Sequence, residues 1–362
     1  MEKQPPTLRA NQFVQKILLS SPAHFIGEFD TPNLLISHAR PPFHTGAPRW
    51  FNVQGDSLNR TAILLSFHTP AAPDEAPGAI VPNYESAGEI VASTLSVLYG
   101  KRFDVHGPLE MSGLFGVPDL STFNNPCSPL LRHNNSDPRV DRAIPLNLGE
   151  TKRVANLIFA ASQSERVTGF FSAAKFYRRA LLSIENDPES AYLHLITAGE
   201  IVSNLHVVRE SDALDDVAKA ILARIENEMA DGPKIANILR GRLRGIKRRF
   251  VNVVLDLVDD SFFERREARD DFGSFDKNSF GKRIAAAYDL RSKFVHTGYP
   301  FGRWVNLQMN NFEIQVGRPV VPDKEMAEIL ARAPLFSGLE RVMRYVLLTF
   351  AAELGAEVKS ES

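Results

Sequence analysis

Arg291 and His296 are the two side chains in this sequence best suited to phosphoryl chemistry without a metal. They lie in the string Tyr288-Asp289-Leu290-Arg291-Ser292-Lys293-Phe294-Val295-His296-Thr297-Gly298. An imidazole ordinarily titrates near pH 6.5, about the pH of a cell interior, so it can take up and release a proton in one cycle. A guanidinium keeps its charge and presents a planar fork of donors that fits two phosphate oxygens. Cleaving a ribose phosphodiester needs both functions. A base takes the 2′-OH proton, a cation holds the charged phosphorane, and an acid protonates the departing 5′-oxygen. His296 precedes Gly298 and Pro300, and there the negative end of a helix favours a protonated imidazole by roughly 0.3–1 kcal/mol.

The spacing sets a geometric condition. Positions five apart on a regular helix are separated by about 140° around its axis. Arg291 and His296 therefore share a face only if the helix loosens in its last turn, or they meet across two chains. The same residue types also serve purely structural ends. A histidine at a helix C-terminus caps carbonyls, and an arginine one turn earlier pairs with an acid such as Asp289 or Glu200.

A second set of residues fits a phosphate backbone. Arg240-Gly241-Arg242-Leu243-Arg244-Gly245-Ile246-Lys247-Arg248-Arg249 carries six cations and no acid. Arg240, Arg244 and Arg248 recur every fourth residue, with Lys247 beside them, and would form one basic stripe on a helix. Such a stripe binds nucleic acid by releasing counterions. It reads equally as a solvated helix face, balanced by the acids from Asp256 to Asp260 and by Glu264 and Glu267.

Composition narrows the classes. The chain has 362 residues, 23% charged and 44% hydrophobic, with a net charge of −1. That length points to two domains, and near-neutrality means any nucleic-acid contact comes from a local patch. Cys127 is the only cysteine, which excludes an internal disulfide and a multi-thiolate zinc site. The histidines show no metal-ligand spacing, His38 and His44 included, so no metal and no cofactor is expected. The segment Met1–Gln15 lacks a signal-peptide layout, and no apolar run reaches membrane-spanning length. A cytoplasmic protein with no membrane partner is expected. No G-x-x-x-x-G-K loop and no G-x-S-x-G elbow is present, which argues against an NTPase and a serine hydrolase.

The elements that must position these residues change character near residue 145. Before it, prolines recur from Pro41 to Pro145 between short apolar runs. Leu34-Leu35-Ile36 and Ala62–Phe67 read as strands, and Ser86–Tyr99 as a helix stopped by Gly100. After it the pattern is helical: Glu150–Gln163, Phe170–Asn186, Ser190–Val207, Asp212–Met229, Pro233–Val258, Phe280–His296 and Gly338–Leu354. An extended excursion or hairpin is expected over Trp304–Val321, turning at Asn310-Asn311. The expected fold class is α+β. An irregular, β-rich domain spans 1–145 and an all-α bundle spans 146–362, its short loops favouring antiparallel neighbours.

Over roughly residues 165 to 355 the chain resembles HEPN domains (higher eukaryotes and prokaryotes nucleotide-binding), in particular their Apea-like branch. The string from Arg291 to Gly298 resembles the family's R-x-x-x-x-H signature. Tyr177 to Leu193 is similar to its opening helix, acidic break and second helix, with Ala198-Gly199-Glu200 matching the glutamate of that second helix. Gly338 to Leu348 is similar to its closing helix. Gly199 departs from the pattern, standing where the family usually carries a larger residue.

The resemblance implies a metal-independent endoribonuclease acting on RNA, commonly a defence or toxin effector. His296 would be the general acid/base and Arg291 would hold the scissile phosphate. Ser292 would support them as a neighbouring polar group, and Glu200 would orient Arg291. The family usually acts as a homodimer with paired motifs at the interface, which favours the two-chain site. Tyr288, Arg291 and Val295 would then share the face turned to the partner. The alternative is a non-catalytic binding or assembly module that dimerises while its amino-terminal domain senses a ligand or protein partner.

Overall fold

A computed structural model describes residues 12–39, 60–70, 84–111, 114–115, 128–135, 137–160, 164–206, 216–229, 231–236, 245–307 and 311–358. The chain is mixed α+β, a sheet-containing amino-terminal region followed by a helical portion. It divides into two compact units, residues 1–163 with 355–362, and residues 164–354. The division thus follows residue 163 rather than 145. The segment after residue 145 is not one helix over Glu150–Gln163 but a 3-10 turn, Leu148–Arg153, and a short helix, α2 (Ala155–Phe159).

In the first unit, β1 (Gln12–Ser21), β2 (Phe25–Ile26), β3 (Phe29–Asp30), β4 (Leu34–His38) and β5 (Thr61–Pro70) precede helix α1 (Glu85–Tyr99). After it come β6 (Asp104–Pro108), β7 (Glu110–Met111), β8 (Leu114–Phe115) and β9 (Leu146–Asn147). Five of these make an antiparallel sheet in the order β3-β4-β5-β1-β6. Side chains alternate across a sheet, so one face collects every second residue. Here Ile17 lies opposite Leu65 and Leu19 opposite Ile63, and all four are buried. Helix α1 covers that face through Gly88, where an added Cβ would sit 3.0 Å from Ile17. The carboxy-terminal segment returns to this unit. Asn156 donates to the Gly355 carbonyl at 2.7 Å, the Glu357 amide donates to the Arg153 carbonyl at 2.8 Å, and Ala356 and Val358 are buried.

The second unit is helical: α3 (Glu165–Ser183), α4 (Pro188–Leu205), α5 (Asp216–Glu228), α6 (Ile246–Leu257), α7 (Asp260–Glu264), α8 (Lys277–Thr297), α9 (Gly302–Val305), α10 (Lys324–Arg332) and α11 (Phe336–Glu353). Four of the longer helices start where a side chain satisfies orphan amides of the first turn. Ser164 caps α3, and Asp187 caps α4 with Pro188 in its first turn. Asp276 caps α8 and Asp323 caps α10. Helix α11 packs against α3, α4 and α6, burying Leu339, Val342 and Phe350 completely. Glu313, 1% exposed, accepts the Glu267 and Phe275 amides at 3.1 Å and the Arg341 guanidinium at 2.7 Å.

One expectation for this unit is corrected, and of the two alternatives for Trp304–Val321 the hairpin is not the one that forms. Pro233–Val258 is not one helix: Gly245 is extended (ψ 129°), and α6 begins after it. Trp304–Val321 does not form a hairpin among the described residues. Its start is the short helix α9, and the single bridge nearby joins Ile314 to Pro334. Asn311 does adopt a left-handed φ of 55°, the conformation a turn asparagine tolerates. Among the described residues no helix is long and apolar enough to cross a membrane.

Candidate active site

Helix α8 carries the Arg291–His296 motif and stays α-helical through Thr297. Gly298 closes it with a left-handed φ of 67°, and its amide reaches the Phe294 carbonyl at 2.8 Å. The Thr297 hydroxyl donates to the Lys293 carbonyl at 2.6 Å. The helix therefore does not loosen in its last turn. Its end is capped by Gly298 and Thr297, which leaves His296 without a capping duty.

Arg291 and His296 face different surroundings. The Arg291 Nη2 lies 3.4 Å from Glu200 Oε2 on α4. The Tyr288 hydroxyl donates to the other oxygen, Glu200 Oε1, at 2.8 Å. The Arg291 guanidinium stands over the Tyr288 ring, 5.5 Å from its centroid, within the range of a cation–π contact. Tyr288 is 8% exposed. Burial first, then the hydrogen bond and charge of Glu200, push its hydroxyl up to about 12. At neutral pH it stays protonated and can donate to Glu200, which keeps that carboxylate oriented toward Arg291. Arg291 has five N–H donors, and one of them is bound to a carboxylate among the described residues. The side chain is 28% exposed, so part of the guanidinium is open to an incoming anion.

His296 is exposed, as is Val295 at 53%. Neither His296 nor the half-buried Ser292 hydrogen-bonds to another residue through its side chain among the described residues. On the face of Tyr288, Arg291 and Val295, Tyr288 and Arg291 engage Glu200 of their own bundle, Tyr288 buried and Arg291 partly exposed, and Val295 is exposed. The neighbouring charges are paired: Lys247 with Asp289 at 2.5 Å, and Lys293 with Asp323 at 2.9 Å and Glu325 at 2.6 Å.

Gly199 has a packing role that explains its departure from the expected larger residue. An added Cβ would lie 2.4 Å from the Phe250 ring and 2.9 Å from the Met343 sulfur. Glycine lets α4 approach α6 and α11 and so sets the depth of Glu200. Phe250 in turn packs on Tyr288, with centroids 5.5 Å apart.

Of the proposed basic stripe, Arg240 and Arg244 lie outside the described residues. The extended Gly245 separates that part of the run from Lys247 and Arg248 on α6, so the four-residue period does not continue on one helix. Arg249, passed over by the four-residue count, is the cation of the run that faces α4. Its outer nitrogen donates to Asn204. The signal was the apolar period of Phe250, Val253, Val254 and Leu257, which puts Arg249 on the edge of the buried face. Among the described residues no three His, Cys, Asp or Glu side chains are grouped as a metal site would need.

No protein-family model, no curated protein and no solved structure matches this chain.

Proposed function

We propose that the helical unit is an Apea-like HEPN domain and acts as a metal-independent endoribonuclease. The observation that carries this reading is the contrast between the two motif residues. Arg291 is framed by Glu200 and Tyr288 with most of its donors unused, and His296 stands in solvent with no side-chain partner. A residue kept for packing or capping would be spent on neighbours. In the proposed reaction the 2′-OH attacks the adjacent phosphorus and its proton passes to a base. The P–O5′ bond breaks, and the leaving oxygen takes a proton from His296. Arg291 neutralises the non-bridging oxygens as the phosphorane forms. The products are a 2′,3′-cyclic phosphate and a 5′-hydroxyl.

Because α8 is regular to Thr297, the reading requires two copies of the chain, Arg291 of one aligned with His296 of the other. Soluble chains most often associate through such a two-fold contact. Incubating the purified protein with RNA in EDTA tests the chemistry. Cyclic-phosphate ends are expected, with RNA cut and DNA of the same sequence intact. His296→Ala and Arg291→Ala should each abolish cleavage and leave the melting temperature nearly unchanged. Activity lost on chelation and restored by magnesium would sink the mechanism.

The Glu200–Arg291 ion pair favours one other reading, a bundle that binds or assembles without cutting. RNA left intact by a folded, dimeric protein would select it.

A further inference from the structure

Arg249 sits on the first turn of α6, and its surroundings tie it to the Arg291 site. Its Nη2 donates to Asn204 of α4, one turn beyond Glu200. The next residue, Phe250, is fully buried against Gly199 and Tyr288, which fixes the backbone from which Arg249 projects. Tyr288 lies between the ring of Phe250, which follows Arg249, and the Arg291 guanidinium above it, so residues of α6 and α8 meet at one tyrosine. The other cations here have carboxylate partners: Lys247 has Asp289, Lys293 has Asp323 and Glu325, and Arg291 has Glu200. Among the described residues Arg249 has none. Its Nε–H is shielded from solvent and has no acceptor there, a state that costs free energy in a folded protein.

We propose that Arg249 is a second phosphate-binding residue, which holds an RNA backbone phosphate beside the one at Arg291. The inference rests on the ribonuclease reading above. A phosphodiester supplies what Arg249 lacks: an acceptor for Nε–H, a negative charge, and two oxygens that match the guanidinium fork. Glu200 and Asn204 hold the two arginines in place in the free protein without neutralising both. RNA entry then leaves Arg291 in place and turns the Arg249 side chain enough to bring its Nε–H to the phosphate. Two arginines from α6 and α8, reaching one α4-lined edge, would fix the direction of the strand as it passes His296 of the second copy.

Single-stranded RNA with all 2′-hydroxyls methylated separates binding from cleavage, because it lacks the nucleophile. Its affinity for the full-length protein is to be measured by anisotropy across a range of salt. Arg249→Gln should weaken binding about tenfold and lower the salt slope by about 0.7, the value of one single-strand phosphate contact, with an unchanged melting temperature. Arg249→Lys keeps the charge and should keep the slope while losing several-fold in affinity. It also decides the matter if the glutamine variant fails to fold. Asn204→Ala should bind as well as wild type or better, since it frees the guanidinium. Wild-type affinity in both Arg249 variants, alongside weakened binding by Arg291→Gln, would overturn the role of Arg249 and leave the ribonuclease reading standing. A loss in Asn204→Ala equal to that in Arg249→Gln would make Arg249 structural and overturn it too. No binding by the wild-type protein would remove the ribonuclease reading and this inference together.

Discussion

Tyr288 and Glu200 lie 88 residues apart in sequence and share a 2.8 Å hydrogen bond that joins α8 to α4. The bond gives the carboxylate a fixed orientation, and Arg291 takes the remaining oxygen. One side chain thus reads the state of two helices.

Tyr288→Phe keeps the ring beneath Arg291 and removes the hydroxyl. It should cost about 0.5–1.5 kcal/mol of stability, the usual net worth of one hydrogen bond, and slow RNA cleavage several-fold. Glu200→Ala should slow cleavage further, since Arg291 then loses its carboxylate as well. Single-turnover cleavage beside a denaturant titration separates the two effects. Full activity in a folded Glu200→Ala protein would remove the orienting role.

Mixing Arg291→Ala with His296→Ala chains tests the two-chain site. Each variant alone should be inactive. Random exchange of subunits should restore part of the wild-type rate, because some mixed dimers hold one intact pair. A monomer at micromolar concentration with full activity would refute the arrangement.

Gly199→Ala should destabilise the helical unit by about 1–3 kcal/mol, the range for overpacking a well-filled core. The added carbon meets the rigid Phe250 ring at 2.4 Å, and a planar ring packed on Tyr288 has little room to move. Chemical denaturation measures the change, and a neutral or stabilising result would show that α4 can shift. Since Glu200 adjoins Gly199, the same variant should also reduce cleavage.

Stability should fall as pH drops below about 6.5, the ordinary imidazole value, partly because of His194. Burial and then nearby Arg179 push its imidazole below that value, against the pull of Asp187. The unfolded chain therefore takes up a proton that the folded chain resists, so acidification favours unfolding through that window. Above it His194 contributes no slope. His194→Gln should flatten the dependence of the melting temperature on pH between about 5 and 7. A difference from wild type that stays constant across this range would exclude the residue as the cause.

Helices were legible where a local signal and the packed structure agree. Gly298 ends α8 because only a left-handed residue continues the chain there without strain. Asp187-Pro188 reads as the stop of the preceding helix, and it is also the start of α4, where the aspartate caps what the proline begins. The apolar runs Leu34–Ile36 and Ala62–Phe67, set between turn residues, mark the cores of strands that extend to His38 and over Thr61–Pro70. Gly245 was misread, since a glycine inside a periodic stretch is compatible with either a helix or its break, and packing chose the break. Glu200 was a natural acid for Arg291 on sequence grounds, and the structure brings them to 3.4 Å. The inward turn of Tyr288 and the aim of Arg249 were not legible. Both depend on how closely α4 and α6 approach, which Gly199 sets from elsewhere in the chain.

The return of residues 355–358 to the first unit has a consequence for biosynthesis. Those residues follow the entire helical unit in the chain, yet Ala356 and Val358 are buried in the first unit and Glu357 bonds to Arg153. On a ribosome the sheet and α1 emerge early and wait, with the surface reserved for Ala356 and Val358 open, until α11 has been made. The order of synthesis and the order of completion are therefore reversed, and the amino-terminal unit closes last.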